Sequence, residues 1–479
     1  MSAGLWTAFE AAAATGGALC ARGGDPDRWI AEEWSAGGIS IDTRSLAPGE
    51  LFVALTDARD GHDFIISAFE RGASAALVAR APQNAPDGAP LLVVGDTLEG
   101  LRDLARAARL RNFGKRVAVT GSVGKTSTKE MLRAAFAAAG RVHASDKSFN
   151  NHWGVPLTLA RMPIGADFSV FEIGMNHAGE ITPLTALVRP HVAVITTIGE
   201  AHIENLGSRE NIARAKAEIF LGVETGGAAI LPIDSDYFGL LAKLAKEANV
   251  ARIVTFGETK DADIRLTGYS LREDGGEVSA RIFGEAFDFP LAAPGRHQAM
   301  NALSVIGAAR ALGVSAARAA SGLKGLAAGQ GRGAQTKVRL PSGGEIVILD
   351  ESYNANPTSM AAAIALLGQM KPRGKGRRIA VLGDMLELGP DAPALHAGLS
   401  NALVAANVDR LYVAGALMQN LWASAPEAMR GGAAPNARAL APQVVAAVAD
   451  GDIVMVKGSN ASKVSEIVTA LLAAAPEAA

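Results

Sequence analysis

Residues 117–132 read "VAVTGSVGKTSTKEML". Apolar, β-branched residues run into a turn with glycines at 121 and 124, and Lys125, Thr126 and Ser127 open a segment with helical spacing. A strand that turns straight into a helix buries both by packing the helix back on a sheet, which favours a parallel α/β layer. At such a turn the backbone N–H groups and the positive start of the helix face one point, and they suit a phosphate. Gly121 and Gly124 supply the backbone freedom. Lys125 is spaced to reach the β- and γ-phosphates of a nucleotide, and the Thr126 hydroxyl to hold Mg²⁺. The general phosphate-loop pattern wants a glycine five residues before Gly124, where this chain has Val119. The loop, Thr120, Gly121, Ser122, Val123, Gly124, Lys125, Thr126 and Ser127, is therefore a shortened one.

The chain of 479 residues is long enough for about three domains. Short strand-like runs at 51–55 and 75–79 precede a helical pattern that ends near 112. From there strand-like segments (116–120, 168–174, 191–199) alternate with helical ones (125–139 and "GEITPLTALV"), the signature of a mainly parallel sheet. The stretch 251–290 is more polar and alternates, which predicts an antiparallel insert with a turn at Gly275-Gly276. A helix over 297–312 leads through "AAGQGRGAQ" to a second boundary near 332, beyond which α/β alternation resumes. The expected division is 1–112, 113–332 and 333–479.

Composition removes several classes. A net charge of −2 gives no basic footprint for nucleic acid and no polybasic patch for a membrane. No run of about 20 apolar residues predicts a span. The single cysteine, Cys20, permits no disulfide within the chain, which fits a reducing compartment and hence the cytoplasm. The first 24 residues have no basic residue before Arg22, and Glu10 interrupts the apolar run, so an amphipathic first helix is expected rather than a signal.

The loop "TGSVGKTS" resembles the shortened phosphate loop of the Mur ligases and folylpolyglutamate synthases, which use ATP to join a carboxylate to an amine. Further stretches extend the resemblance over nearly the whole chain: "FNNHWGVPLTLA" (149–160), "FEIGMNHAGEI" (171–181), the segment 196–220, "PGRHQAMNAL" (294–303), "LDESYNANPTSM" (349–360) and "VLGDMLELG" (381–389). "ISIDTRSLAPGELFVAL" with "DGHDFI" is similar to the UDP-sugar-binding domain of the later ligases of that family. The resemblance implies a small α/β UDP-binding domain, a phosphate-loop central domain and a Rossmann-like C-terminal domain. "NNHWGVP" paired with "YNANP" implies the member that adds D-alanyl-D-alanine to UDP-MurNAc-tripeptide. The runners-up are the preceding ligase of that pathway and a polyglutamate synthase. A regulatory nucleotide switch would show a guanine-reading N-K-x-D, which is absent.

The resemblance also implies roles. ATP is held by the loop, by His297 and Asn301 at adenine, and by Arg332 and Asp350 from the C-terminal domain, which predicts a closing motion. Gln298 departs from the family's usual asparagine. Two Mg²⁺ ions are expected on Thr126, Glu172, His202 and a carbamylated Lys216. Carbamylation would turn a cation beside two metal ions into an oxygen ligand. The plainer reading of Lys216 is a solvated helix lysine paired with Glu218 or Glu210. Lys125, Glu172, His202 and Lys216 form the catalytic set. Ser40, Asp42, Thr43, Arg44 and His62 are expected on uridine diphosphate. Asn150, Asn151, His152, Tyr353, Asn354 and Asn356 are expected on the peptide and dipeptide, although asparagines beside Pro357 also suit a turn. His177 and Asp350 are the candidate general bases, each with a plain alternative as a turn residue. A monomer is expected.

Overall fold

The structure, a computed structural model, describes residues 4–21, 34–83, 85–146, 148–341 and 343–474. Arg22 and the last residues of the Ala-rich C-terminal tract lie outside the described residues. Three larger sheets follow one another along the chain, with a two-stranded ribbon, Trp6–Thr7 against Ser35–Ala36, beside the first.

The first sheet has five strands in the order Ala18–Ala21, Pro90–Val93, Ala75–Val78, Glu50–Val53 and Gly38–Ser40, parallel except for the first. Its inner strand "AALV" is buried throughout, as a parallel strand covered on both faces must be. Helix Thr97–Leu110 starts at Asp96, whose side chain accepts from the Glu99 N–H. Leu101, Leu104, Ala105 and Ala108 recur at helical spacing and are buried. They do not close a core of their own. They join Leu51 and Leu77 of the first sheet to Val155, Leu159, Phe171 and Ile181 of the next unit in one continuous core.

Polar contacts fix the same seam. Trp6 Nε1 donates to the Ala160 carbonyl at 2.9 Å, and the Arg111 guanidinium lies 3.7 Å over the Trp6 ring. Asn112, 3% exposed, donates through Nδ2 to the carbonyls of Pro163, Ile164 and Ala166 and accepts from the Gly114 N–H. Asn112→Ala strips the partner from the buried Ala166 carbonyl, so it is expected to lower stability by about 1–3 kcal/mol, read as a fall in melting temperature.

The second sheet has nine strands in the order Glu285–Leu291, Gly275–Ile282, Ile264–Arg272, Arg252–Gly257, Ala228–Pro232, Val192–Ile195, Lys115–Thr120, Phe168–Glu172 and Val142–Ala144. Six of these neighbouring pairs are parallel. The expectation for 251–290 needs two corrections. Arg252–Gly257 pairs parallel with Ala228–Pro232, because its apolar "IVTF" belongs to the central core. The first hairpin turns at Glu273-Asp274, with Gly275 already paired to Arg272. Strand order reverses at Lys115–Thr120: the next two strands lie on one side of it and the later ones on the other. A crevice opens beyond the carboxyl end of such a strand.

The third sheet runs Ala334–Arg339, Glu345–Glu351, Ile453–Lys457, Arg378–Gly383, Arg410–Ala414 and Arg430–Ala434, parallel except at the Ala334–Arg339 edge. Glu351 and Lys457 are Cα partners at the carboxyl ends of adjacent strands. No helix among the described residues is long and apolar enough to cross a membrane.

Candidate active site

The strand Lys115–Thr120 delivers the loop and the helix Lys125–Ala137 leaves it. Gly124 sits at φ 84°, and a Cβ there would lie 2.6 Å from Asn301 Oδ1. A side chain is excluded on both counts. The loop is braced from the next strand: Ser122 N donates to the Thr197 carbonyl at 2.9 Å, Val123 N to Thr197 Oγ1 at 3.1 Å, and Ser122 Oγ to the Gly199 carbonyl at 3.0 Å. The first intrahelical bond is Thr128 N to the Gly124 carbonyl. The N–H groups of the first helical turn therefore remain for an anion.

Lys125 Nζ folds back on the Gly121 carbonyl at 2.7 Å. Burial pulls the Lys125 amine below its ordinary pKa, Glu172 opposes the shift and Arg332 adds to it. Thr126 Oγ1 donates to Glu172 Oε2 at 2.8 Å, and Asn150 Nδ2 donates to Glu172 Oε1 at 2.8 Å. Glu172 is 2% exposed at the end of strand Phe168–Glu172. Its carboxylate is thus fixed beside the helix start by two neutral donors.

Lys216 is 1% exposed on helix Arg209–Ala217. The solvated-lysine reading fails. Glu210 is paired with Arg214, and Glu218 accepts from Gly179 N and from Thr182. The Lys216 amine has no hydrogen bond or ion pair among the described residues. Burial first, and then the charge of Lys125, holds its pKa well below the usual 10.5. His202 feels both lysines, and burial is the largest cause of its lowered pKa. Its Nδ1 lies 2.6 Å from Glu387 Oε2 of the third sheet's unit.

One cavity of about 620 Å³ runs between the phosphate loop and the third sheet. It is lined by Ser122 to Ser127, Asn150, Glu172, His202, His297, Gln298, Asn301, Arg332, Tyr353, Asn354 and Asn356. Of the residues predicted from sequence, these are the ones brought together. Gln298 Oε1 accepts from Asn301 Nδ2 at 3.1 Å, so the extra methylene still leaves an amide in the lining. The Arg332 guanidinium lies 3.8 Å over the Tyr353 ring and reaches Ser148 Oγ at 3.4 Å, joining the third unit to the loop. Asn356 also caps helix Pro357–Gln369 through the Ser359 N–H, with Pro357 at its first turn.

Others are not brought there. Asp350 is not part of the lining; its carboxylate accepts from Gly331 N, which is, and from the N–H and hydroxyl of Ser352. His177 is 64% exposed and paired with Glu180. Asn151 Oδ1 accepts from Trp153 N and Gly154 N, and His152 is exposed against Trp153. Ser40, Asp42, Thr43 and Arg44 lie at the carboxyl end of strand Gly38–Ser40, where Arg44 is held bidentately by Asp42. His62 is 3% exposed with both ring nitrogens used: Nε2 accepts from Ala79 N at 2.9 Å and Nδ1 meets Asp60 Oδ1 at 2.6 Å. In this structure that ring braces the first sheet.

Sequence reasoning passed over Ser148, Glu351 and Lys457, all in the lining. Strand alternation carries the signal for Glu351: successive side chains face opposite ways, so Asp350 and Glu351 cannot both face the cavity.

The family description "Mur ligase middle domain" matches residues 119–309, and "Mur ligase, glutamate ligase domain" matches residues 337–460. UDP-N-acetylmuramoyl-tripeptide–D-alanyl-D-alanine ligase of Bacillus subtilis is 37% identical over 440 residues, 91% of this chain and 93% of the relative. The Escherichia coli protein of the same name is 34% identical, covering 90% of this chain and 93% of its own length. A crystal structure of MurF from Acinetobacter baumannii matches with a TM-score of 0.83 at 29% identity, covering 98% of this chain and 99% of the other. MurF ligase of Thermotoga maritima in complex with ADP matches at 0.77 and 26% identity, over 91% and 97%. Fold and site together define an ATP-dependent ligase that joins an acid to an amine. The chain belongs to the Mur ligase family.

Proposed function

We propose that this ligase adds D-alanyl-D-alanine to UDP-MurNAc-tripeptide, giving the UDP-MurNAc-pentapeptide precursor of peptidoglycan, in the cytoplasm and as a monomer. The observation that carries the reading is the single cavity in which the phosphate loop and Glu172 face Arg332 and the Tyr353–Asn356 stretch. The names of the relatives supply the substrates. The division of labour proposed is uridine diphosphate on 1–112, ATP on 113–332 and the dipeptide on 333–479.

A carboxylate oxygen of the tripeptide attacks the γ-phosphorus of ATP, forming an acyl phosphate and releasing ADP. The dipeptide amine then attacks the acyl carbon, the carbon–oxygen bond to phosphate breaks, and phosphate and a proton leave. Positioning and charge neutralisation supply most of the acceleration in such steps. Lys125 leaves the Gly121 carbonyl for the transferred phosphoryl group, and Arg332 meets it from the opposite side. His297 and Asn301 take the adenine. Glu351, not Asp350, offers its carboxylate to the nucleoside.

The Thr126 hydroxyl and Glu172 carboxylate are adjacent hard oxygen donors, which fits Mg²⁺. They, with His202 and a carbamylated Lys216, would hold ions that neutralise charge between the two anionic substrates. Lys216 suits the modification. A neutral amine attacks CO₂, a nitrogen–carbon bond forms and a proton leaves, and burial shifts this amine toward its neutral form. The proposal assigns no general base. An α-amine with a pKa of about 7.7–8.0 is roughly 10–20% neutral at pH 7 without one.

An ADP-release assay with UDP-MurNAc-tripeptide tests the reading. Turnover is expected with D-alanyl-D-alanine and not with single amino acids or glutamate. Turnover with a diamino acid instead would sink it.

A further inference from the structure

Lys457 ends an inner strand of the third sheet and is 3% exposed. Its ammonium donates to the Asn354 carbonyl at 3.0 Å and to Glu351 Oε2 at 3.3 Å. An ammonium has three protons. No third acceptor for this one is found among the described residues, and the side chain lines the cavity. The contact with Glu351 is longer than the roughly 2.7–2.9 Å of a well-made charged bond. The turn that follows is braced: Ser459 Oγ donates to the Ala355 carbonyl and accepts from Leu386 N. The cation is therefore held against the back of the Tyr353–Asn356 stretch.

The other cavity cations are engaged elsewhere. Lys125 and Arg332 converge on the phosphate loop through Gly121 and Ser148. Arg209 lies over the Tyr237 ring between Glu200 and Asp236. The amine substrate brings a difficulty that none of these solves. It arrives as a zwitterion, its amine is consumed, and its carboxylate stays charged inside a closing site. A buried carboxylate without a cation is strongly disfavoured.

We infer that Lys457 receives the terminal carboxylate of the incoming dipeptide, exchanging its long contact with Glu351 for the substrate, and so makes a free C-terminus a requirement. The inference rests on the substrate reading above. Its consequence is a discrimination between the dipeptide acid and its C-terminal amide.

The test is steady-state kinetics with D-alanyl-D-alanine and D-alanyl-D-alanine amide. The wild-type enzyme is expected to prefer the acid by about 10- to 100-fold in kcat/KM, the range of one charged hydrogen bond. In Lys457→Gln, the KM for the acid rises by about the same factor, the amide changes little, and the KM for ATP holds. Lys457→Arg restores part of the preference. Equal use of acid and amide by the wild-type enzyme overturns the inference. So does a preference that persists in Lys457→Gln, or a shift in the KM for ATP alone. Should Lys457→Gln fail to fold, judged by loss of a cooperative thermal unfolding transition, the wild-type comparison still decides. Turnover of neither dipeptide by the wild-type enzyme overturns the substrate reading itself.

Discussion

Lys216→Ala is expected to lower kcat by about 10²–10³-fold, the loss seen when one group that stabilises developing charge is removed. Its melting temperature is expected to hold or rise, because the change deletes a buried amine that has no partner among the described residues. This combination separates a catalytic lysine from a structural one, whose loss would lower both. Short carboxylates such as formate or acetate are expected to return part of the activity by placing an oxygen donor in the vacated space. The intact protein should show a carbamate mass that disappears on acidification. An unmodified lysine with no rescue would end the carbamate reading.

In protein freed of the carbamate, the unmodified lysine has a pH signature. Its folded pKa lies well below 10.5. Between the two values the unfolded chain binds more protons than the folded one, so stability rises with pH across that window. Above 10.5 the effect is complete, and it is lost as pH falls toward the folded value. Lys216→Ala should flatten that slope in alkaline thermal melts, where the wild-type protein gains stability as pH increases.

Lys125→Met is the second large effect. It keeps the length of the side chain and removes the cation that reaches the transferred phosphoryl group. We expect kcat/KM for ATP to fall by about 10²–10³-fold. ADP affinity should fall less, since the N–H groups of the first helical turn and the contacts at His297 and Asn301 remain. Lys125→Arg should not restore activity, because a planar guanidinium cannot take the compact place that an ammonium occupies against the Gly121 carbonyl. Isothermal titration with ADP beside the kinetics checks both statements. Equal loss of ADP binding and turnover would mean that Lys125 acts mainly on the diphosphate.

What could be read from the chain divides by the range of the interaction. The loop, its strand and its helix are local, and glycine at 121 and 124 with Lys125 announces them. The three sheets follow from alternation of apolar strands and helices. Arg252–Gly257 reads as part of an antiparallel insert because a polar neighbourhood hides a buried parallel strand. Nothing near His62 in the sequence announces that Ala79, 17 residues away, donates to its Nε2. Asp350 and Glu351 differ only in which face of a strand they take, and sheet register settles that. Lys216 shows its meaning only through burial, which no single sequence displays. Lys457 has no local motif: its partner Glu351 is 106 positions distant.

The shared core between the first two units sets the mechanics of the enzyme. Trp6, Leu101 and Leu104 pack into the same apolar mass as Val155 and Phe171. Separating those units would expose that mass, so a closing motion of the kind expected from the sequence would fall in the segment between helix Ala316–Leu323 and strand Ala334–Arg339. If the proposed assignment of uridine diphosphate to Ser40 and Arg44 holds, that shared core would keep their distance to Lys125 nearly fixed. A substrate held there by its nucleotide end would then react only if its free carboxylate reaches Lys125. The seam acts as a gauge for the growing peptide, and an enzyme acting one step earlier or later on the same carrier would need a different span.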